Sequence, residues 1–109
     1  MKINPAVLLF PIAVCALAQA TREVEGVVRD QNGQPFAGAV VEIEDTRTLE
    51  VRSFDTPASG KYRFLEINPD QDYKVRVHYL GSWSKVRWLN HFDMGNTKVI
   101  NFTVRRPLE

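Results

Sequence analysis

The two histidines of this 109-residue chain, His78 and His91, are its first candidates for zinc binding or acid–base catalysis. A zinc peptidase holds its metal with an H-x-x-E or H-E-x-x-H pair, in which a Glu stands close to a His. Neither histidine has a Glu within three residues. His78 lies on the polar side of an alternating stretch, where an exposed histidine without a chemical role is the ordinary case. The sequence therefore predicts no zinc centre.

Oxygen-bearing side chains suggest calcium or a serine nucleophile, but their context favours neither. Calcium prefers oxygen atoms clustered in loops, and the candidates are Asp30, Asn32, Asp70 and Asp72. The D-x-N-G pattern that begins at Asp30 is, however, the composition of an ordinary tight turn. A serine nucleophile needs a strained turn such as G-x-S-x-G, and the chain has none. We therefore expect no catalytic residue, no metal ligand and no cofactor, and interpret the protein as not being an enzyme.

Residues 79–95 are the stretch whose composition indicates binding. They include both tryptophans beside basic and amide side chains, and aromatic rings bordered in this way are typical of surfaces that bind proteins or sugars. The candidate surface consists of Trp83, Lys85, Arg87, Trp88, Asn90, His91 and Phe92. Trp83 lies between two serines in a predicted loop and is expected to be exposed. The alternation of Val86 with Trp88 favours a core position for Trp88.

The elements that carry these residues are predicted to be short strands, because apolar and polar residues alternate and no helical period is sustained. Seven strands are predicted, over residues 22–29, 39–45, 50–55, 61–65, 73–80, 85–89 and 98–104. Turn residues separate them, and Gly33 supplies the positive φ that the first turn needs. Such a pattern predicts a β-sandwich or barrel. The predicted inward-facing residues are Val28, Val41, Ile43, Tyr62, Phe64, Val75, Val77, Ile100 and Phe102.

Residues 1–20 have the features of a cleaved N-terminal signal helix. Lys2 precedes a mostly apolar run, and Ala18-Gln19-Ala20 gives the small-x-small pattern of a cleavage site. The apolar run of about 13 residues is too short to span a bilayer. Cys15 raises a lipoprotein signal as an alternative, although Val14 stands where such signals have a small residue. We expect a domain over residues 21–109 that is secreted or periplasmic, in the cell envelope, with no membrane span after cleavage.

The predicted mature domain has neither a net charge nor a cysteine. Cleavage removes Lys2 from the 14 basic residues, which leaves as many basic residues as the 13 acidic ones. This balance argues against a nucleic-acid partner held by bulk charge. Because Cys15 is the only cysteine, the exported domain must depend on its hydrophobic core rather than on disulfides.

Two stretches carry a family resemblance. Residues 26–43, G-V-V-R-D-Q-N-G-Q-P-F-A-G-A-V-V-E-I, resemble the opening of the carboxypeptidase regulatory-like domain. Residues 55–77 resemble that family's D-x-x-G-x-Y-x-F-x-x-L-x-P-G-x-Y-x-V-x-V, with Asp70-Gln71-Asp72 where the family has a Gly. The resemblance implies an all-β, seven-stranded antiparallel β-sandwich of transthyretin-like (prealbumin-like, Greek-key) topology in the carbohydrate-binding-like superfamily.

The resemblance also bears on function. In metallocarboxypeptidases such a domain lies beside the catalytic domain without performing its chemistry, and in bacterial surface proteins it recurs as an accessory module. A pilin-type isopeptide bond would need a Lys on the first strand opposite an Asn such as Asn101, and that strand has no Lys. The resemblance favours a non-catalytic module that binds a protein partner. A carbohydrate-binding module, with a polysaccharide ligand, and a regulatory subunit beside a separate metallocarboxypeptidase stay open as alternatives.

Overall fold

A computed structural model describes residues 21–93 and 95–107, so the predicted signal lies outside the described residues. The described residues form nine strands: β1 (Arg22–Arg29), β2 (Val40–Asp45), β3 (Val51–Asp55), β4 (Lys61–Ile67), β5 (Tyr73–Tyr79), β6 (Ser82–Trp83), β7 (Arg87–Leu89), β8 (Thr97–Val99) and β9 (Phe102–Thr103). Within these ranges, no helix has the length and apolar character that a membrane crossing requires.

The nine strands occupy seven positions in two sheets. In the first sheet β1 lies between β4 on one side and β8 and β9 on the other. In the second sheet β2 lies between β3 and β5, and β6 and β7 share the far edge of β5. β6 and β7 therefore form a single interrupted edge strand, and so do β8 and β9. This architecture confirms the predicted seven-stranded sandwich.

One strand pairing differs from the expected antiparallel arrangement. All pairings in the second sheet, and that of β1 with β4, are antiparallel. β8 and β9, however, run parallel to β1. The chain reaches this position after leaving the other sheet at the end of β7, and it then runs in the same direction as β1. A direct hairpin would have imposed the opposite direction.

Alternation along the strands decides which side chains fill the space between the sheets. β5 buries Tyr73, Val75 and Val77, while the residues between them are only partly covered. All nine residues predicted to face inward are buried: Val28, Val41, Ile43, Tyr62, Phe64, Val75, Val77, Ile100 and Phe102. Phe36, Ile67 and Leu89 join the same core, although the alternation argument did not select them.

The break between β8 and β9 is built around Ile100. Its N–H donates a hydrogen bond to the Glu25 carbonyl at 2.9 Å, and its own carbonyl accepts one from the buried Tyr62 hydroxyl. Burial raises the pKa of Tyr62 far above its ordinary value, so the hydroxyl remains a donor. Gly26 makes room for this carbonyl, because a Cβ at residue 26 would lie 1.9 Å from the Ile100 oxygen.

The turn after β1 is organised by the buried carboxylate of Asp30. One carboxylate oxygen accepts the N–H groups of Asn32 and Gln34 at 2.9 and 3.0 Å, and the other lies 3.1 Å from Arg106 Nε. Burial alone would raise the pKa of Asp30, but these hydrogen bonds outweigh it and hold the pKa below its ordinary value. The Arg106 N–H also donates to Gln31 Oε1 at 2.7 Å. Arg106, which follows the last strand, is therefore anchored to the first turn.

Candidate binding surface

β5 positions most of the residues that the sequence singles out. Its outward side chains are Lys74, Arg76 and His78, which alternate with buried residues. After the turn at Leu80, the chain returns along the edge of β5, first as β6 and then as β7. Because residues directly opposite each other in an antiparallel pair share a face of the sheet, the outward side chains of all three strands meet.

The predicted single strand over residues 85–89 is wrong in extent. Trp83, which was expected in a loop, belongs to β6 and pairs with His78, and the edge is then interrupted until β7 begins at Arg87. Ser84 makes the interruption, because its Oγ accepts the Val77 N–H at 2.8 Å while its own N–H donates to the Val77 carbonyl at 2.8 Å. Such side-chain hydrogen bonds to the backbone compete with a regular strand ladder.

The interruption decides the orientation of Trp88. In the register of β7, Leu89 lies opposite the buried Tyr73, and Trp88 lies opposite the outward Lys74. Leu89 is fully buried, whereas Trp88 is 51% exposed. The interpretation of Trp88 as a core residue is therefore wrong, and Val86, at 41% exposure, is not in the core either. The prediction that Trp83 is exposed is confirmed, at 46%.

Both tryptophan rings lie against cationic or imidazole groups of β5. The guanidinium carbon of Arg76 lies 3.8 Å from the centre of the Trp83 ring, and the His78 ring stacks on Trp83 with 4.4 Å between ring centres. Lys74 Nζ lies 5.3 Å from the centre of the Trp88 ring. Cation–π contacts of this kind hold the rings in place while half of each stays exposed. We call Lys74, Arg76, His78, Trp83 and Trp88 the tryptophan surface.

Acidic residues of β2 balance the charge of this surface. Glu42 lies opposite Arg76 in the sheet and forms an ion pair with it at 3.4 Å, and Glu44 lies opposite Lys74. The hollow that these four side chains form with Val86 has a volume of only about 90 Å³. Sites for drug-sized molecules have volumes of about 300–1,000 Å³. The surface therefore suits contact with a macromolecule better than enclosure of a small ligand.

Asn90, His91 and Phe92 form a turn at the end of β7, beside the start of β5. The backbone N–H of His91 donates to Asp72 Oδ1 at 2.7 Å, and its Nδ1 lies 2.8 Å from the same oxygen. The hydrogen bond with the His91 side chain and, to a smaller extent, the one with its backbone hold the pKa of Asp72 below its ordinary value. The Phe92 ring is 79% exposed, with its centre 3.8 Å from that of His91.

Arg22 supports this turn, although it was not among the site residues predicted from the sequence. Its side chain is buried, and Nη1 donates to the carbonyl oxygens of Asn90 and Asp93 at 3.1 and 3.2 Å. The signal that could have found it is the alternation of β1, since Arg22 shares the inward face of Val24. A guanidinium on that face requires carbonyl or carboxylate partners.

The structure thus separates the seven predicted residues into groups. Trp83 on β6 and Trp88 on β7 lie along the same edge of β5, and Asn90, His91 and Phe92 follow in the adjacent turn. Lys85 is exposed in the connection between β6 and β7, and Arg87 donates to the Asn101 carbonyl at 3.2 Å. Lys74, Arg76 and His78 were missed, because their role depends on strand pairing. Among the described residues, no group of three or more His, Cys, Asp or Glu side chains could hold a metal ion.

Comparisons with known proteins agree with the observed architecture. The carboxypeptidase regulatory-like domain family matches residues 23–105. Comparison with curated proteins found no match. Catechol 1,2-dioxygenase from Pseudomonas arvilla C-1 superposes with a TM-score of 0.59 at 15% identity, over 80% of this chain and 52% of that chain. The major pilin subunit of Bacillus cereus gives 0.55 at 13% identity, over 79% of this chain and 30% of that chain.

A protein from Bacteroides uniformis ATCC 8492, whose name describes it as carbohydrate-binding, gives a TM-score of 0.50 at 17% identity. The superposition covers 76% of this chain and 40% of that one. At such identities these similarities show a shared fold and nothing about activity. The family match, in contrast, spans the whole sandwich from β1 to the end of β9. The chain belongs to the carboxypeptidase regulatory-like domain family.

Proposed function

We propose that this domain is a non-catalytic, exported binding module of the cell envelope, and that it binds a protein partner through the tryptophan surface. The observation that carries the proposal is the pair Trp83 and Trp88, each about half exposed on one face of one sheet. Both rings are already ordered by contacts with β5. Ordered aromatic side chains contribute large contact area at low entropic cost, which is why they dominate interface energetics.

The distribution of exposed apolar residues supports the same surface. Nine large apolar residues are exposed among those that the structure describes. Three of the nine, Trp83, Val86 and Trp88, lie around Lys74 and Arg76 on this face of the sheet. A concentration of apolar side chains rimmed by polar ones is typical of protein-interaction sites.

A polysaccharide is the second candidate ligand. Trp83 pairs with His78 and Trp88 with Lys74, and residues four apart on a strand are separated by about 13 Å. An extended polymer that lies parallel to β5 would therefore contact both rings. The fold shared with a protein named for carbohydrate binding is consistent with this alternative.

Affinity capture from the native envelope tests the proposal, with binding to purified polysaccharides measured in parallel. We expect a protein to be captured, and Trp83→Ala and Trp88→Ala each to weaken its binding more than about tenfold, as for interface anchors. The melting temperature should change little, because both rings are half exposed. Leu65→Ala is the matched control, since Leu65 is 47% exposed on the other sheet.

The outcomes separate the two ligands and the two roles of tryptophan. Polysaccharide binding that depends on both tryptophans, without a captured protein, would replace the first candidate by the second. Binding that survives both substitutions would contradict the tryptophan surface altogether. A large drop in melting temperature would show that the rings serve the core instead.

A further inference from the structure

We infer that the opposite sheet carries a second binding site, a groove that takes an extended peptide with carboxylates at alternate positions. The groove crosses the outer face of β4, β1 and β8 and has a volume of about 540 Å³. We call it the basic groove and define it by Val27, Arg29, Lys61, Arg63, Val99 and Asn101, which line it. It shares no residue with the tryptophan surface, so the two sites can be tested separately.

Strand register places an aliphatic floor between basic side chains. Val27 lies opposite Lys61 on β4, and Glu25 lies between Arg63 on one side and Val99 on the other. Val99 is apolar but 55% exposed, because it faces outward from the sheet. The Val27 N–H is already satisfied by Asn101 Oδ1 at 2.9 Å. A partner at this position would therefore contact side chains rather than open backbone groups.

The charge of the groove favours carboxylates. Three basic residues line it against a single acidic one, Glu25. Arg63 is engaged by Glu23 at 2.6 Å. None of the ion pairs formed among residues 21–93 and 95–107 involves Arg29 or Lys61. These two cations are therefore available to an acidic partner, in a domain whose overall charge is otherwise balanced.

The spacing of the cations indicates an extended peptide. Lys61 and Arg63 are alternate residues of β4 on one face, so their positions are about 7 Å apart. An extended peptide presents alternate side chains with the same repeat. One carboxylate would then lie opposite Lys61, which is unpaired among the described residues, and the next would lie opposite Arg63 and share its guanidinium with Glu23. The methylene groups of glutamate would cover Val27 and Val99. Two aromatic residues also line the groove: Tyr62 is buried, and Phe54 is partly buried with its ring against that of Phe64.

Nuclear magnetic resonance titration tests this site with a defined probe. The probe is a blocked seven-residue peptide in which Glu and Ser alternate and Glu stands at both ends. One control peptide has Gln in place of every Glu, and another has the same composition with its four Glu residues consecutive. We expect saturable shifts at Val27, Lys61 and Val99 with the alternating peptide, none with the Gln peptide, and binding several-fold weaker with the consecutive one. Added salt should weaken the binding.

Variants locate the contact. Lys61→Glu should weaken binding of the alternating peptide by roughly tenfold, because an attraction is replaced by a repulsion of similar size. Arg47→Glu changes the charge equally at an exposed turn position outside the groove and should leave binding unchanged. The proposal is overturned if no saturable shift occurs, if both charge reversals have the same effect, or if the consecutive peptide binds equally well. Shifts in the groove with oligogalacturonate, and none with the peptide, would overturn the choice of ligand.

Discussion

Thr56 and Asp30 are buried polar residues whose side chains hold the turns at one end of the sandwich. Thr56 Oγ1 donates to the Phe36 carbonyl at 2.8 Å and accepts the Ala39 N–H at 2.9 Å. The Asp30 carboxylate holds its own turn and pairs with Arg106. Buried polar groups with complete partners stabilise a fold modestly, but removing one partner leaves the others unsatisfied at a larger cost.

Thr56→Val retains the shape of the side chain and removes both hydrogen bonds. The Phe36 carbonyl and the Ala39 N–H then lose their partner in a buried site. We expect the free energy of unfolding to fall by about 2 kcal/mol or more. Urea melts measure it, with Thr103→Val, at an exposed position of β9, as the control that should change stability by less than about 0.5 kcal/mol. Equal melts for the two variants would contradict this role of Thr56.

Because of Asp30, we expect the free energy of unfolding to depend on pH. The pKa of Asp30 is lower in the folded chain than its ordinary value, so its contribution is fully present above about pH 4 and is lost as the pH falls through the folded pKa. Asp30→Asn should therefore be less stable than wild type at pH 7, and the difference should shrink towards zero at low pH. Urea melts across this range measure it. A difference that persists at low pH would show that the charge of Asp30 is not what stabilises the turn.

Two edge positions of the sandwich consist of interrupted strands, and each interruption has a local cause. Ser84 ends β6 because both its Oγ and its backbone N–H form hydrogen bonds with the backbone of Val77. Ile100 separates β8 from β9 because its carbonyl turns towards the Tyr62 hydroxyl. Gly26 leaves the space that this carbonyl occupies. The first interruption exposes Trp88, and the second brings Asn101 against Val27 in the basic groove.

Gly26→Ala tests the second interruption. The added Cβ would lie 1.9 Å from the Ile100 oxygen, so β8 and β9 must shift away from β1. We expect a loss of about 3 kcal/mol or more of unfolding free energy, at the upper end of overpacking effects. Thermal and urea melts measure it.

Gly33→Ala is the matched control for Gly26→Ala. Gly33 has a φ of 80° but nothing within 4 Å of the position of a Cβ. It should cost only the conformational penalty of about 1–2 kcal/mol. If Gly26→Ala proves as mild as this control, the close approach of Ile100 does not constrain the strand.

The whole molecule presents two chemically different faces on one apolar core. One sheet carries the tryptophan surface, in which cations lie against exposed rings and are balanced by Glu42 and Glu44. The other carries the basic groove, with an aliphatic floor. The two sheets hold these faces apart on opposite sides of the sandwich, which would allow one domain to contact two partners.

Intrinsic fluorescence tests the exposure of the tryptophans in the intact domain. Since Trp83 and Trp88 are 46% and 51% exposed, native emission should lie close to that of the urea-unfolded chain, and acrylamide should quench both rings. Trp83→Phe and Trp88→Phe report on one ring each. Blue-shifted native emission that acrylamide does not quench would mean that both rings are buried, and would remove the basis of the tryptophan surface.

Much of the fold was determined by the sequence alone. Alternation with a period of two is a local property, so it correctly predicted β1, β2, β4 and β5 and nine buried residues of the core. Turn residues such as Asp30 and Gly33 act within a few positions, so the turn could likewise be predicted from the adjacent residues. The segment that concentrates the aromatic side chains was also recognisable from composition.

The faces of those aromatic side chains were decided only by the tertiary structure. A shift of one residue in strand register reverses every side chain, and the register of β7 is set by Ser84 bonding to Val77 across the hairpin. Sequence alternation alone therefore placed Trp88 in the core. Lys74 joined the tryptophan surface, and Lys61 the basic groove, through partners more than ten residues away along the chain. Such pairings depend on how the sheets assemble, which no local pattern of residues records.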